Sequence, residues 1–341
     1  MNRKGVTYDV GIYPFGEARP SRPHFDPGIV RREIEIIRND LHCNAIRIIG
    51  RDLDRLVIAS EFALERGLEV WFGPGYHDAD EQQTLAYFSE CAKAAEALRL
   101  KSPNIVFIAG WELTFFMKGL VLGDTGSQRI EAFMKPWRLL WSAARIGPFN
   151  RNLNRFLAKA AAEVRRHFHG PLTYASGSWE EVDWTPFDFI GLDCYRDAMN
   201  KKVFLQNLKK YFTHGKPVVL TEFGCCTYRG AEDKGGYGWA IVDWSAQPPR
   251  LKGSFVRDES VQAGYLTELL QVFVDEKAEG AFAFTFVMPK YPHSDDPSLD
   301  LDTASYGLVK SYADRMGTTY PGLPWEPKQA FDAVARFYRE L

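Results

Sequence analysis

Short runs of apolar residues alternate along the chain with longer stretches in which apolar residues recur every three or four positions. The short runs are typical of buried strands and the longer stretches of amphipathic helices. Eight runs are predicted as strands, at 6–12, 44–50, 69–74, 104–112, 171–177, 187–195, 217–224 and 280–287. Helical patterns separate most of them, such as GIVRREIEIIRNDL after the first run and RNLNRFLAKAAAEVRRHF before the fifth. This alternation indicates a parallel sheet.

Eight strands with intervening helices over 341 residues is the count of a (β/α)8 TIM barrel, and we predict one barrel domain over residues 1–341. A doubly wound open sheet is the structural alternative, but no dinucleotide-binding or P-loop glycine motif follows a predicted strand. The connections after strands 4, 7 and 8 are long. Long connections in a compact domain usually cover a binding site, so we expect one at this end of the barrel.

Composition and charge narrow the class of partner. The chain is 45% hydrophobic and 25% charged, which is typical of a globular protein, and its net charge is −2. Lys and Arg are spread among Asp and Glu, so we expect neither a nucleic-acid nor a membrane partner. Oligomeric state stays open.

The N-terminal sequence and the spacing of cysteines and histidines bear on the compartment and on cofactors. The start lacks the apolar run and cleavage site of a signal peptide, so we expect a cytoplasmic protein unless a leader has been removed. The five cysteines form no CxxC pattern, and the seven histidines form no HxH or HExxH pattern. We therefore expect neither a metal nor a cofactor.

Two carboxylates stand at predicted strand ends. Glu112 ends strand 4 in AGWELTFF, and Glu222 ends strand 7 in VVLTEFG. In a barrel of this type, the catalytic groups lie at the C-terminal ends of the strands, so both side chains would project into the barrel mouth. Two carboxylates flanking one bond are what glycoside hydrolysis requires, one as an acid and one as a nucleophile or base.

At these positions the sequence resembles the clan of retaining β-glycoside hydrolases with (β/α)8 barrels. TEFG is similar to the strand-7 motif, NAIRI to the strand-2 motif and LDCYRD to the strand-6 segment. The resemblance spans strands 2 to 7. It implies double-displacement cleavage of a β-glycosidic bond, with Glu112 as acid/base and Glu222 as nucleophile. It also implies that Arg47 braces the nucleophile and that Tyr195 donates a hydrogen bond to it.

Two positions depart from the clan pattern. The clan usually has Asn before the acid/base Glu, where this chain has Trp111, and often ends strand 8 with Trp, where this chain has Phe282, Phe284 and Phe286. A carbohydrate-binding or regulatory pseudoenzyme on the same barrel is therefore the alternative to a hydrolase. A transglycosylase also stays open, because the same residues can transfer a sugar to an acceptor other than water.

Four further residues are candidates for contacting the carbohydrate, and each has a structural alternative. Trp111 and Trp179 are aromatic residues that could stack on a sugar or simply pack in loops. His77 follows strand 3, and Asp9 lies near the end of strand 1, where it could equally brace that strand.

Overall fold

The computed structural model describes residues 1–13 and 19–341. Within these residues, eight parallel strands close into a barrel in the order β1-β8-β7-β6-β5-β4-β3-β2. The strands are Arg3–Gly11 (β1), Ala45–Gly50 (β2), Glu69–Pro74 (β3), Ile105–Trp111 (β4), Leu172–Gly177 (β5), Ile190–Asp193 (β6), Val218–Phe223 (β7) and Gly280–Ala283 (β8). The predicted (β/α)8 TIM barrel is confirmed.

Helices connect the strands, except that the described segment between β5 and β6 contains none. They are Pro27–Asn39 (α1), Leu53–Glu65 (α2), Glu81–Lys101 (α3), Leu113–Phe116 (α4), Gly126–Met134 (α5), Pro136–Ile146 (α6), Phe149–Arg165 (α7), Phe204–Tyr211 (α8), Glu259–Asp275 (α9) and Gln329–Glu340 (α10). Several start where the sequence supplies a cap. Asp26 accepts hydrogen bonds from two backbone N–H groups at the start of α1. Asp80 and Gln83 form a capping box at the start of α3.

The strands are covered on both faces. β2 and β4 consist entirely of buried residues, as expected when side chains fill the barrel and helices pack outside it. The parallel register pairs Val70 with Ile105 between β3 and β4, and Gly177 with Asp193 between β5 and β6. Continuous apolar runs were therefore a sound basis for predicting strands.

Three strands differ from the prediction by more than one residue at an end. β1 begins at residue 3 instead of 6, because the polar residues 3–5 pair with β8 without an apolar pattern. β6 covers only Ile190–Asp193, so Tyr195 lies in the connection beyond it. β8 ends at Ala283 instead of residue 287. Beyond it, the Phe284 and Phe286 N–H groups still bond to the Phe223 and Thr7 carbonyls of the neighbouring strands, whereas the Thr285 N–H bonds to the Tyr306 carbonyl outside the barrel.

The chain forms two compact units. The first comprises Met1–Asp9, Asp26–Ile46 and Cys194–Leu341, and the second comprises Val10–Phe25 and Arg47–Asp193. In the core of the first, the buried Tyr338 hydroxyl donates to the Gly5 carbonyl at 2.9 Å. In the core of the second, the Phe107 ring packs against three other phenylalanines. One barrel domain acting as a whole stays a prediction.

Three connections at the C-terminal ends of the strands are long: 112–148 before α7, 224–258 before α9 and 284–328 before α10. A buried ionic cluster fastens the last two, since Arg257 pairs with Asp300 and Asp302, and Lys328 pairs with Asp302. In the described part of the chain, no helix is long and apolar enough to cross a membrane.

Candidate active site

Glu112 is the first residue after β4 and lies in a left-handed turn. Its φ of 40° and ψ of 43° are uncommon for a residue other than glycine. Its N–H donates to the Ala175 carbonyl at 3.0 Å, and its carbonyl accepts from the Phe115 and Phe116 N–H groups at 2.8 and 3.1 Å. Such a conformation persists only where its surroundings enforce it, and it is common at functional sites.

Glu180, in the segment after β5, binds the turn next to Glu112. Its Oε1 accepts from the backbone N–H and the hydroxyl of Thr114, at 3.2 and 2.7 Å. Its Oε2 accepts from the Tyr174 hydroxyl at 2.8 Å and from the Gly177 N–H at 3.1 Å. The side chain is 3% exposed, so these four donors take the place of water.

Tyr174 extends this network to the backbone beside Glu112. Its hydroxyl accepts from the Leu113 N–H at 2.8 Å while it donates to Glu180. Burial, then the negative charges of Glu180 and Glu112, raise the pKa of Tyr174, so the phenol keeps its proton. Burial raises the pKa of the Glu180 carboxyl, and the hydrogen bonds from Thr114 and Tyr174 act against that rise.

Sequence analysis missed Glu180. Its partner Thr114 lies 66 residues earlier, and a single sequence does not show such a pairing. The one available signal was a carboxylate in a Gly- and Ser-rich stretch directly after a predicted strand, in ASGSWEE.

Trp179 belongs to the same part of the molecule. Its indole N–H donates to the Thr114 hydroxyl at 2.9 Å, and its ring stacks on Phe115 with the centroids 4.1 Å apart. Phe133 meets both rings edge-on. These are packing contacts around the turn, and the predicted role of Trp179 in binding a sugar stays a prediction.

Trp111 covers a buried charge pair. The Arg47 and Asp193 side chains are both fully buried, with Nη1 and Oδ1 3.8 Å apart. The Arg47 guanidinium lies 5.6 Å from the centre of the Trp111 ring, a cation–π contact. Trp111 is 5% exposed, so it has little surface to offer a sugar. The predicted roles of Arg47 and Trp111 in substrate binding stay predictions.

His77 packs against Trp111 and is 9% exposed. Its ring stacks on Phe116 at 4.3 Å, and its Nδ1 lies 3.2 Å from the Tyr13 carbonyl. Because a carbonyl only accepts, Nδ1 carries the proton. Burial lowers the pKa of His77 to about 4, against the opposing effect of the Asp78 charge. His77 is therefore neutral at physiological pH, and its predicted sugar contact stays a prediction.

Glu222 is the second-last residue of β7 and is half-buried. The Tyr195 hydroxyl donates to Glu222 Oε1 at 2.6 Å, which is the contact that the resemblance implies. The Glu222 carbonyl accepts from the Cys194 N–H at 2.6 Å. The carboxylate is thus oriented by a phenol from the neighbouring connection.

Tyr306 supports Tyr195, and sequence analysis missed it as well. Their rings meet edge-on, with the centroids 5.9 Å apart. The buried Tyr306 hydroxyl donates to the Gly235 carbonyl at 2.6 Å and accepts from the Gly238 N–H at 2.9 Å. A Cβ at Gly224 would lie 2.9 Å from the Tyr306 ring, so a larger residue does not fit directly after β7.

The predicted site residues fall into two groups. In the second unit, contacts connect Arg47, Trp111 and His77 next to Glu112. In the first unit, Tyr195 contacts Glu222, and the half-buried Asp9 lies in β1. Among residues 1–13 and 19–341, no group of three or more His, Cys, Asp or Glu side chains is arranged to hold a metal ion.

No protein-family model matches the chain, and the search of curated proteins found no match. Solved structures do share its fold. A GH113 beta-1,4-mannanase has a TM-score of 0.62 and 14% identity, covering 99% of both chains. A GH5-4 broad specificity endoglucanase from Clostridium longisporum has a TM-score of 0.53 and 12% identity, covering 99% of this chain and 96% of that one.

A b-glucuronidase from Ruminococcus gnavus is similar over part of its length. Its TM-score is 0.56 at 14% identity, covering 99% of this chain and 49% of the glucuronidase. At these identities the similarity establishes the barrel fold, and fold alone does not assign an activity.

Proposed function

We propose that this protein is a retaining glycoside hydrolase acting on a β-linked carbohydrate, with Glu112 as acid/base and Glu222 as nucleophile. The observation that carries the proposal is the position of the two carboxylates, at the C-terminal ends of β4 and β7 of a closed eight-stranded barrel. The mannanase, endoglucanase and glucuronidase of the same fold support it.

The chemistry divides between the two residues. In the first step, a Glu222 oxygen attacks the anomeric carbon while the bond to the leaving oxygen breaks and Glu112 gives that oxygen its proton. In the second step, water attacks the same carbon, Glu112 takes a proton from the water, and the ester to Glu222 breaks. Proton and electron pairs balance without a cofactor.

The structure supports this division. Tyr195 fixes the orientation of the Glu222 carboxylate, as a nucleophile attacking along one direction requires. Glu112 lies in a turn that Glu180 and Tyr174 fasten, which keeps the proton donor close to one position.

A pseudoenzyme is the second candidate, and one observation favours it. Trp111 stands where the clan has Asn, and it is buried over Arg47. At this position the chain therefore offers the sugar no amide. Transfer of the sugar to an acceptor other than water also remains compatible with the same two carboxylates.

The test is hydrolysis of a panel of aryl β-glycosides that includes mannosides, glucosides and glucuronides. Wild type is compared with Glu222→Ala, and proton NMR identifies the first-formed anomer. We expect a β-configured product from wild type and loss of activity in the variant. Equal activity in Glu222→Ala, or an α-configured first product, would contradict the proposed mechanism.

A further inference from the structure

Helix α6 presents an apolar face to solvent. Trp137, Leu140 and Trp141 within it are 63, 73 and 52% exposed. These residues recur at intervals of three and four, so they lie on one side of the helix. We refer to these three side chains as the apolar face of α6. Met134, which ends α5, is also 68% exposed. Contiguous exposed apolar residues mark an interaction surface.

The chain around this face is strongly cationic. Between Glu131 and Glu163 there are six cationic side chains and no acidic one, although the whole protein has a net charge of −2. The six are Lys135, Arg138, Arg145, Arg151, Arg155 and Lys159. All but the half-buried Arg138 are exposed. Glu131 pairs with Lys135 and Arg138, and Glu81 pairs with Lys159. Six cations against these two acids leave a net positive charge, which complements an anionic surface.

Two arginines lie directly on the apolar face. The Arg138 guanidinium lies 5.3 Å from the Trp137 ring centre, and the Arg145 guanidinium lies 5.0 Å from that of Trp141. Cations and apolar rings therefore reach the same surface together. Trp and Leu on one face with Arg beside them are typical of a helix that lies in the boundary of a lipid bilayer.

Other occupants fit these observations less well. Arg138 and Arg145 cover one face of each indole, so a stacked sugar could use only the other face. The exposed aliphatic Leu140 between the two indoles adds apolar surface that a sugar does not require. A symmetric contact with a second copy would bring two cationic faces together, and Glu131, the nearest acid in sequence, is already paired with Lys135 and Arg138.

We propose that the apolar face of α6 docks onto an anionic lipid surface. The inference does not depend on the proposed glycosidase activity, because it concerns binding and not the two carboxylates. It revises the expectation of no membrane partner, which came from the charge averaged over the whole chain. Docking requires no helix to cross the bilayer.

The test is co-sedimentation of the full chain with vesicles, of phosphatidylcholine alone and of equal parts phosphatidylcholine and phosphatidylglycerol. We expect binding to the anionic vesicles, a blue shift of tryptophan fluorescence, and release at high salt. The double variant Trp137→Ser/Trp141→Ser should bind at least about tenfold more weakly, since most of the apolar face is gone. Arg145→Glu should weaken binding at least about fivefold.

Met199→Ser is the matched control, because Met199 is 93% exposed and lies outside the cationic segment. It should bind as wild type does. Equal binding to both kinds of vesicle, no binding to either, or wild-type binding by the double variant would overturn the proposal. So would a dimer in light scattering that the double variant abolishes, which would assign the face to a second copy.

Discussion

Glu112 and Glu222 lie in different local structures. Glu112 lies in a left-handed turn, and the N–H groups of the next two residues bind Tyr174 and Glu180. Glu222 lies within β7, and the Tyr195 hydroxyl donates to its carboxylate. A proton donor needs a stable location, and an attacking oxygen needs a defined direction. Each local structure thus suits the proposed role of its residue.

Replacing Glu112, the proposed acid/base, is expected to have the largest effect on activity. Glu112→Gln should lower kcat/KM about 10²- to 10⁴-fold for glycosides with poor leaving groups, because their departure needs a proton. Dinitrophenyl glycosides, whose leaving group needs none, should lose little in the first step. The measurement is kcat/KM across a series of aryl leaving groups. Equal losses over the series would contradict the acid role.

Unfolding at acid pH tests the packing next to Glu112, where His77 contacts Trp111. The pKa of His77 is lowered from 6.5 to about 4 by burial, so the unfolded chain binds its proton more readily than the folded one. Folded stability is therefore lost as pH falls from about 6.5 towards 4, and this residue contributes about 3 kcal/mol of that loss.

Urea unfolding at several pH values measures this contribution. His77→Gln should show a shallower decline of the unfolding free energy between pH 7 and 4 than wild type does. His24→Gln, which changes an exposed histidine, is the matched control and should decline as wild type. An unchanged slope in His77→Gln would show that burial of this ring does not resist protonation.

Tyr195→Phe removes the hydrogen bond to the Glu222 carboxylate most directly. A hydrogen bond to a charged group contributes about 1.5 to 3 kcal/mol, so kcat/KM should fall about 10- to 100-fold. The loss should be similar for good and poor leaving groups, because attack by Glu222 is common to both. A loss confined to poor leaving groups would assign Tyr195 to the acid/base instead.

Glu180→Gln is expected to have the smallest effect on activity, about tenfold, because Glu180 acts on Glu112 through the backbone. The loss should grow with leaving-group pKa, as for Glu112→Gln. Glu33→Gln is the matched control. Glu33 is 1% exposed and accepts from the Tyr8 hydroxyl and, at 2.8 Å, from the Trp325 indole.

Both glutamine variants should lower the free energy of unfolding by about 1 to 3 kcal/mol, because each disturbs a buried, satisfied carboxylate. Only Glu180→Gln should change the leaving-group dependence. If the control changes it to the same degree, Glu180 is a structural residue and not a positioning one.

The sequence was informative where structure is local. Eight apolar runs predicted the eight strands, because a strand buried on both faces is apolar throughout. The predicted start of β1 and the predicted end of β8 were wrong, because backbone pairing with neighbouring strands, and not apolarity, determines where a strand begins and ends. The contact between Tyr195 and Glu222 was expected only from a resemblance, and the structure contains it.

Contacts between residues far apart in the chain could not be predicted from the sequence. The Glu180 network joins residues from two connections, and no periodicity indicates such a pairing. The cationic stretch around α6 can be read from the sequence, but the net charge of −2 over the whole chain does not indicate it. Exposure of Trp137 and Leu140 followed only from the packing of α6.

The central claim is that the two carboxylates have the two roles assigned here, and reciprocal rescue by azide tests it most directly. With a dinitrophenyl β-glycoside, Glu222→Ala should yield the α-glycosyl azide, since azide replaces the nucleophile. Glu112→Ala should yield the β-glycosyl azide, since azide attacks the ester formed on Glu222. The same azide anomer from both variants, or no rescue of either while wild type is active, would contradict the account.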